Sequence, residues 1–426
     1  MKVAIVGLGY VGLPLAMVFA EAGASVVGVE ANGERCAAVN AGQSYIQDVD
    51  SEALQRVVAR GLLQATPDYA AVEGCEAIII CLPTPLNPYR EPDLTLVKDA
   101  THELAAHVRR GQLITLESTT YPGTTREELV PILEEGSGLK AGVDFHIAFS
   151  PERVDPGRTD FTTKTTPKVI GGLTPACTER ALQVYGQAID HLVPVSTPEI
   201  AEMTKLLENI FRSVNIALVN ELAMLCDRMH IDVWEVVEAA ATKPFGFMRF
   251  QPGPGLGGHC IPVDPFYLSW KARSFDFWTE FIELAGKVNE NMPYWCVEKV
   301  HRALNTRGKS LNGAKVLVLG VAYKADIDDL RESPALKVIR RLQEHGAVVD
   351  YHDPYVPELH VPDLYEAVLH SISLDKGAGI GAYDVVIIVT AHSNVDYREV
   401  VDKAQLVVDL RNATAGIPGR GKVWKL

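Results

Sequence analysis

The stretch that most constrains this chain runs from Lys2 to Glu30. It reads KVAIV, then Gly7-Leu8-Gly9-Tyr10-Val11-Gly12, then LPLAMVFAEAG, then SVVGVE. In physical terms this is a buried strand, a tight glycine turn, a helix, and a second strand that ends on an acid. The first glycine permits the turn, the second lets a pyrophosphate approach the backbone, and the third lets helix pack on strand. N–H groups at the helix start, around Tyr10 and Val11, then face the phosphates. A carboxylate at Glu30 accepts both ribose hydroxyls and repels a 2′-phosphate, which selects NAD over NADP. Arg35 either pulls toward NADP or serves the adenosine side of the same cofactor.

Lys2 and the apolar run to Ala20 have the outline of a secretory leader. Gly7, Gly9, Gly12 and Pro14 interrupt that run, and no small-residue cleavage pattern follows it. No other run is long enough to span a bilayer. The expectation is a cytoplasmic chain with no membrane partner. Its 426 residues exceed one ordinary core, so two or three domains are expected. A net charge of −14 argues against nucleic acid or an anionic membrane surface as partner. The cysteines at 36, 75, 81, 177, 226, 260 and 296 form no C-x-x-C pair, so neither a metal site nor a disulfide framework is expected.

Strands alternate with helices through the first half: 76–82, 112–118 and 145–150, with helical stretches near 51–61, 94–109 and 124–135. That alternation describes a parallel doubly wound sheet, whose ligands sit beyond the carboxyl ends of its strands. Thr84, Thr119 and Glu152 each follow such an end and point toward one crevice, though each also reads as a cap or turn residue. After VIGG (169–172) a short α/β unit ends near 191–196, and Thr197-Pro198 opens a long helix. Ile200, Met203, Leu207, Ile210, Val214, Leu218, Leu222, Leu225 and Met229 recur along it at helical spacing. At roughly thirty residues it would be about 45 Å long, enough to join two domains and offer a dimerisation face. Lys205 and Asn209 share one face of it; the lysine either snorkels to solvent or turns inward.

Gly308-Lys309-Ser310-Leu311-Asn312-Gly313 is the best linker candidate. Beyond it the first pattern returns, with strands at 314–320, 347–354, 384–390 and 406–412 and a helix at 334–345. Gly320-Val321-Ala322-Tyr323-Lys324 lacks the glycine fingerprint, which argues against a second NAD site. Lys324 and Arg331 both suit phosphate. The expected fold is α/β: two Rossmann-like doubly wound domains joined by a long central helix, divided at 1–197, 198–307 and 308–426.

Between the helix and the second domain lies Gly253-Pro254-Gly255-Leu256-Gly257-Gly258-His259-Cys260-Ile261-Pro262-Val263-Asp264-Pro265. Crowded glycines and prolines make a shaped loop. Cys260 there is either a nucleophile favoured by backbone N–H groups or a small buried hydrophobe. An NAD domain alone implies one two-electron oxidation, which needs a base and no nucleophile. A thiol becomes useful when an alcohol is oxidised twice, because a thiohemiacetal holds the aldehyde while the reduced cofactor leaves. A thioester follows, which water can cleave, and the basic C-terminal domain could grip the diphosphate of a nucleotide-linked substrate.

These motifs together resemble the UDP-glucose/GDP-mannose dehydrogenase family over nearly the whole chain. They are GLGYVG (7–12), PTP (83–85), STT (118–120), SPER (150–153), K-x-x-x-N (205–209), GPGLGGHCIPVDP (253–265) and YKADIDDLRESP (323–334). The resemblance implies an NAD-binding Rossmann domain, a central helix at a dimer or higher homo-oligomer interface, and a UDP-binding domain. It implies that Cys260 is the nucleophile, that Lys205 stabilises oxyanions or assists proton removal, and that Asp264 and Asn209 position water and substrate. Glu152 would be the base in thioester hydrolysis, with Thr119 beside the reacting centre. Gly7, Gly9, Tyr10, Val11, Gly12, Glu30, Arg35, Thr84, Thr119 and Arg331 would hold NAD. Glu152, Arg153, Val154, Lys205, Asn209, Arg249, Phe250, Gly253, Gly257 and Lys324 would hold the UDP-sugar.

Two positions depart from many UDP-glucose enzymes of that family: Val263 stands where they carry Lys, and Pro156 where they carry an acid. With KPFGFMRF before the loop and DPFYLSWKA after it, the chain is similar to the branch that oxidises UDP-N-acetylglucosamine to a uronic acid for surface polysaccharide. UDP-glucose and UDP-N-acetylmannosamine are the alternative substrates. Outside that chemistry stand a two-electron hydroxyacid-type dehydrogenase, with one NADH per substrate and no role for the thiol, and a non-catalytic nucleotide-sugar binding module.

Overall fold

The computed structural model describes residues 1–46, 48–154, 161–258, 261–360, 368–374, 379–419 and 421–426. They form two units, one of Met1–Glu208 with Phe266–Trp278 and one of Asn209–Pro265 with Thr279–Leu426.

The first unit is built on an eight-stranded sheet of β1 (Lys2–Val6), β2 (Ser25–Val29), β3 (Leu63–Thr66), β4 (Ala77–Ile80), β5 (Leu113–Leu116), β6 (His146–Phe149), β7 (Lys168–Gly172) and β8 (Leu192–Val195). Their order is β3-β2-β1-β4-β5-β6-β7-β8. Alternation along each strand sends side chains to opposite faces. Val3 and Ile5 therefore join a core with Phe19 and Leu54, while Ala4 and Val6 join another with Ile78 and Leu116. Helices cover both faces, so the strands read as continuous apolar runs. The strands read from the alternation, up to β6, pair in parallel as expected. β7 runs antiparallel to β6, and the described residues between them hold no helix. A parallel neighbour needs a crossover connection, usually helical.

The second unit carries β9 (Lys315–Leu319), β10 (Val348–His352), β11 (Glu358–Leu359), β12 (Leu369–His370), β13 (Val385–Ile388), β14 (Val407–Asp409) and β15 (Val423–Lys425). Five of them form a parallel sheet in the order β10-β9-β13-β14-β15, and β11 and β12 make a separate antiparallel pair. The resemblance between halves extends to backbone geometry. Gly7 has φ +90° and donates its N–H to Val29 O at 2.8 Å; Gly320 has φ +80° and donates to His352 O at 2.9 Å. The acid after the second strand is used alike: Asp353 Oδ2 accepts from Val321 N–H (2.7 Å), as Glu30 Oε2 does from Leu8 N–H (3.0 Å). The halves diverge at the next donor, Ala322 N–H, which Asp353 Oδ2 also takes up, at 3.1 Å. At the end of the 308–313 segment Gly313 N–H is bonded to Gly346 O, inside this unit.

The long helix spans Pro198–Met229. Its leucine stripe is not core: Leu207, Leu218, Leu225 and Met229 are more than half exposed. Ile210, also on the expected stripe, is buried. The face turned inward is mostly small or polar instead, with Ala201, Lys205, Asn209, Ser213, Ala217, Asn220 and Ala223 all buried. No helix among the described residues is long and apolar enough to cross a membrane.

Candidate active site

In the first unit the glycine turn leaves open the space a dinucleotide phosphate needs. A Cβ at Gly9 would meet no heavy atom within 4 Å, whereas one at Gly7 would lie 2.7 Å from Cys81 O and one at Gly12 would overlap the Gly7 carbonyl. The helix that follows, Gly12–Glu21, has no side-chain cap at its N-terminus. Uncapped N–H groups beside an open glycine suit an anion. Glu30 is buried, with Oε2 accepting from Leu8 N–H and Oε1 from Asn32 N–H, both at 3.0 Å. Those bonds fix the carboxylate at the end of β2 and leave lone pairs for ribose hydroxyls. Arg35 Nη1 stands 4.0 Å from Glu30 and its guanidinium lies 5.4 Å above the Tyr45 ring. Burial, with Glu30 adding to it, pushes the Tyr45 hydroxyl up to about 12, so it stays a donor, to Leu8 O at 2.8 Å. The residues present therefore fit NAD.

The loops after β4 and β5 are tied together. Thr84 Oγ1 donates to Thr119 O at 2.7 Å, and Leu82 N–H donates to Ser118 Oγ at 3.0 Å. Tyr267 closes the same corner by donating to Thr84 O at 2.8 Å. Thr84 is buried and Thr119 half-buried, so these bonds set the two loops. Further along, Glu202 on the long helix caps the 125–137 helical segment. It accepts from Gly123 N–H (2.6 Å), Thr125 N–H (2.9 Å) and Thr125 Oγ1 (2.7 Å).

One turn beyond Glu202 sits Lys205, only 8% exposed, whose Nζ donates to Glu152 O at 2.7 Å. Among the described residues no carboxylate lies within ion-pair distance of it. The Glu152 side chain folds back so that Oε1 accepts from Arg153 N–H and Val154 N–H, both at 2.7 Å. Arg153 is committed to the protein: its guanidinium grips Glu208 through two bonds, at 3.2 and 2.6 Å, and reaches Pro167 O at 2.5 Å. Behind Glu152 lies a group that sequence reasoning missed. Lys168 Nζ is 2.9 Å from Glu117 Oε2 and 3.7 Å from Glu152 Oε2, and Tyr185 OH donates to Glu117 Oε1 at 2.6 Å. Burial pushes the Glu117 carboxyl up. Burial also works against the Lys168 ammonium, but Glu117 and Glu152 outweigh it and raise its pKa.

In the second unit Asp264 begins the helix Asp264–Ala272 and is 1% exposed. Asn209 Nδ2 donates to its Oδ2 at 2.5 Å, so the i+4 partner of Lys205 orients a buried carboxylate. Cys260 and His259 lie outside the described residues. The glycines before them are explained by close approach within this unit. A Cβ at Gly257 would come 2.5 Å from Tyr323 Cβ and 3.1 Å from Pro334 Cδ. Gly258, at φ +84°, donates its N–H to Arg331 O at 2.9 Å. Gly255, at φ +131°, packs where its Cβ would be 3.2 Å from Asn289 O. That carbonyl has lost its helical donor because residue 293, four on, is proline. Gly253 N–H donates to Asn220 Oδ1 at 2.9 Å.

Sequence reasoning also missed Arg411, which lies within the 406–412 segment read only as a strand. Any side chain at Gly253 would collide with its guanidinium. Burial pushes its pKa down, although Asp409 supports the charge. Arg331 forks onto Asp329 at 2.6 to 3.0 Å, Lys324 is half-buried, Arg249 pairs with Glu238, and the Phe250 ring meets Phe211 edge to face with centroids 5.7 Å apart. A cue to Arg411 did exist: a basic residue two positions after a strand-ending Asp, at the carboxyl edge of the sheet.

Profiles of the UDP-glucose/GDP-mannose dehydrogenase family match three parts of the chain: the NAD binding domain over residues 1–189, the central domain over 199–291 and the UDP binding domain over 317–416. The UDP-N-acetyl-D-glucosamine 6-dehydrogenase of Pseudomonas aeruginosa is 37% identical over 396 residues, covering 92% of this chain and 91% of that protein. The UDP-N-acetyl-D-mannosamine dehydrogenase of Pyrococcus horikoshii is 36% identical over 418 residues, covering 97% and 96%. A solved structure of the UDP-D-ManNAc dehydrogenase from Pyrococcus horikoshii superposes with a TM-score of 0.90 at 33% identity, covering 100% of this chain and 99% of that one.

Proposed function

This chain belongs to the UDP-glucose/GDP-mannose dehydrogenase family and binds NAD, and from that premise we propose that it oxidises the C6 hydroxyl of a UDP-N-acetylhexosamine, UDP-N-acetylglucosamine before others, to the carboxylate. The product suits surface polysaccharide synthesis. Lys205 is the observation that carries this reading. A buried ammonium whose described partner is a neutral carbonyl is costly to keep, and it has a use where negative charge develops on a substrate oxygen. NAD, when bound, accepts the two electrons lost from C6 in each oxidation. The first oxidation yields an aldehyde, which the Cys260 thiol captures as a thiohemiacetal. Oxidation of that adduct gives a thioester, and water delivered by Glu152 cleaves it. Lys205 steadies the oxygen at C6 throughout, and Asn209 holds the Asp264 carboxylate to position water and substrate.

Residues 1–197 serve NAD in this scheme, 198–307 carry the helix and the cysteine loop, and 308–426 grip UDP. Arg411 joins Lys324 there as a cation for the diphosphate, because its enclosed guanidinium faces the glycine loop. The exposed leucines of the Pro198–Met229 helix support a homodimer built on that face.

UDP-N-acetylmannosamine is the second reading, favoured by the greater share of the chain matched by the Pyrococcus horikoshii protein. An NADH-coupled panel of UDP-glucose, UDP-GlcNAc, UDP-GalNAc and UDP-ManNAc separates them. The expected result is two NADH per sugar with UDP-GlcNAc fastest, and no acid from Cys260→Ser. Normal turnover in that variant, or one NADH per sugar, would end the proposal. Preference for UDP-glucose would overturn the substrate branch alone.

A further inference from the structure

We propose that Lys168, held by Glu117 and Tyr185, is a positioning residue that fixes the Glu152 carboxylate for cleavage of the thioester; the inference rests on the function proposed above. The arrangement is a line of four side chains from different elements. Tyr185 ends the helix Pro175–Tyr185, Glu117 follows β5, Lys168 opens β7 and Glu152 follows β6. Tyr185 OH donates to Glu117 Oε1 (2.6 Å), Lys168 Nζ donates to Glu117 Oε2 (2.9 Å), and the same ammonium lies 3.7 Å from Glu152 Oε2. It also reaches Pro151 O at 3.5 Å and stands 5.6 Å from the centre of the Tyr185 ring.

The Lys168 and Glu117 side chains are 5% and 0% exposed, and the Glu152 side chain 17%. One buried cation thus serves two carboxylates, and the more exposed of the two is the one assigned to water. A buried ion pair is weak support for stability, since two well-packed apolar side chains do as well. A lysine that reaches past its own partner to a second carboxylate has a further use.

The two Glu152 oxygens are treated differently. Oε1 is occupied by two backbone N–H groups, at 2.7 Å each, so a proton arriving from water goes to Oε2. At 3.7 Å Lys168 sits beyond hydrogen-bond length. It holds Oε2 by charge without occupying the lone pair that must take the proton. Other titratable groups face this carboxylate from neighbouring elements. Cys81 after β4 is buried, with its pKa pushed well up by burial and by Glu117, so it remains a neutral thiol. Lys205 binds the Glu152 backbone oxygen rather than its side chain, and the Arg153 guanidinium is turned onto Glu208.

In the step itself the water oxygen bonds to the thioester carbonyl carbon while one water proton passes to Glu152 Oε2. The C–S bond then breaks, the electron pair leaves with sulfur, and the thiolate regains the proton from Glu152. Thioester and water give carboxylic acid and thiol, with no change of oxidation state.

Rapid-mixing kinetics with intact-mass analysis test the assignment. In Lys168→Met the initial burst of two NADH per active site is expected to persist, while turnover after the burst falls at least tenfold. The Cys260 acyl adduct should then accumulate, and Lys168→Arg should restore most of the rate. Tyr185→Phe, which keeps the packed ring and removes one hydroxyl, should show the same adduct with a smaller loss. Burst and steady rate falling by one factor, or no adduct in either variant, overturns the proposal while leaving the function standing. A wild-type chain that makes one NADH per sugar takes both down.

Discussion

Replacing Gly9 by alanine should separate cofactor binding from folding. A Cβ built at Gly9 has no heavy atom within 4 Å, and the residue's φ lies outside the left-handed range. Alanine therefore fits the folded chain without strain. Loss of unfolded-state freedom alone should stabilise it by about 0.4–1 kcal/mol. The same methyl fills the space into which pyrophosphate must come, so NAD affinity should fall at least tenfold, about 1.4 kcal/mol. Gly12→Ala is the opposite case. Its Cβ would lie 3.0 Å from the Gly7 carbonyl carbon, overlap that carbonyl's oxygen, and come 3.2 Å from Ile5 Cγ2. The backbone has to move, at about 1–3 kcal/mol for an overpacked site. Calorimetric titration with NAD, paired with denaturation curves, reads both effects, and UDP titration controls for the second unit. Wild-type NAD affinity in Gly9→Ala would refute the placement of the phosphate, and melting as early as Gly12→Ala would refute the claim of open space.

Glu30→Ala should leave the Leu8 and Asn32 N–H groups without their acceptor, at about 1–3 kcal/mol for each one left buried and unpaired. It should also narrow the preference for NAD over NADP in a titration with both. Burial pushes the Glu202 carboxyl from 4.5 up to about 7, so the folded chain binds a proton there that the unfolded chain does not. That stabilising uptake is complete below about pH 4.5 and is lost as pH rises through 7, roughly 3 kcal/mol at 1.36 kcal/mol per unit. Melting of wild type against Glu202→Gln at pH 5 and pH 8 checks the sign, the variant gaining on wild type at the higher pH. Arg411→Met should weaken UDP binding at least tenfold in a calorimetric titration and leave NAD binding unchanged. Leu218→Asp with Leu225→Asp should shift sedimentation from dimer to monomer; an unchanged dimer would move the interface off this face.

Features carried by local backbone demands were legible before any coordinates. Gly7, Gly9 and Gly12 each answer a separate steric requirement within six residues, and apolar runs with capped helices between them place most strands of both sheets. The small outer strands β3, β11 and β15 were not legible, because a run of two to four residues carries too little periodicity to stand out. The direction of β7 was not legible for another reason: strand direction depends on whether a crossover intervenes, and composition does not encode that.

By itself the sequence determined the dinucleotide turn, the acid at the end of β2, the helical spacing of Lys205 and Asn209 and the glycine loop, since each depends on residues within about thirty positions of one another. Tertiary structure decided which charges are spoken for. Arg153 is taken by Glu208, Arg331 is forked onto its neighbour Asp329, and Lys168 is shared between Glu117 and Glu152, while Lys205 meets only a carbonyl among the described residues. The physical reason is that an ion pair forms wherever folding brings two charges within a few ångströms, and for Glu117 and Lys168 that happens across fifty-one residues.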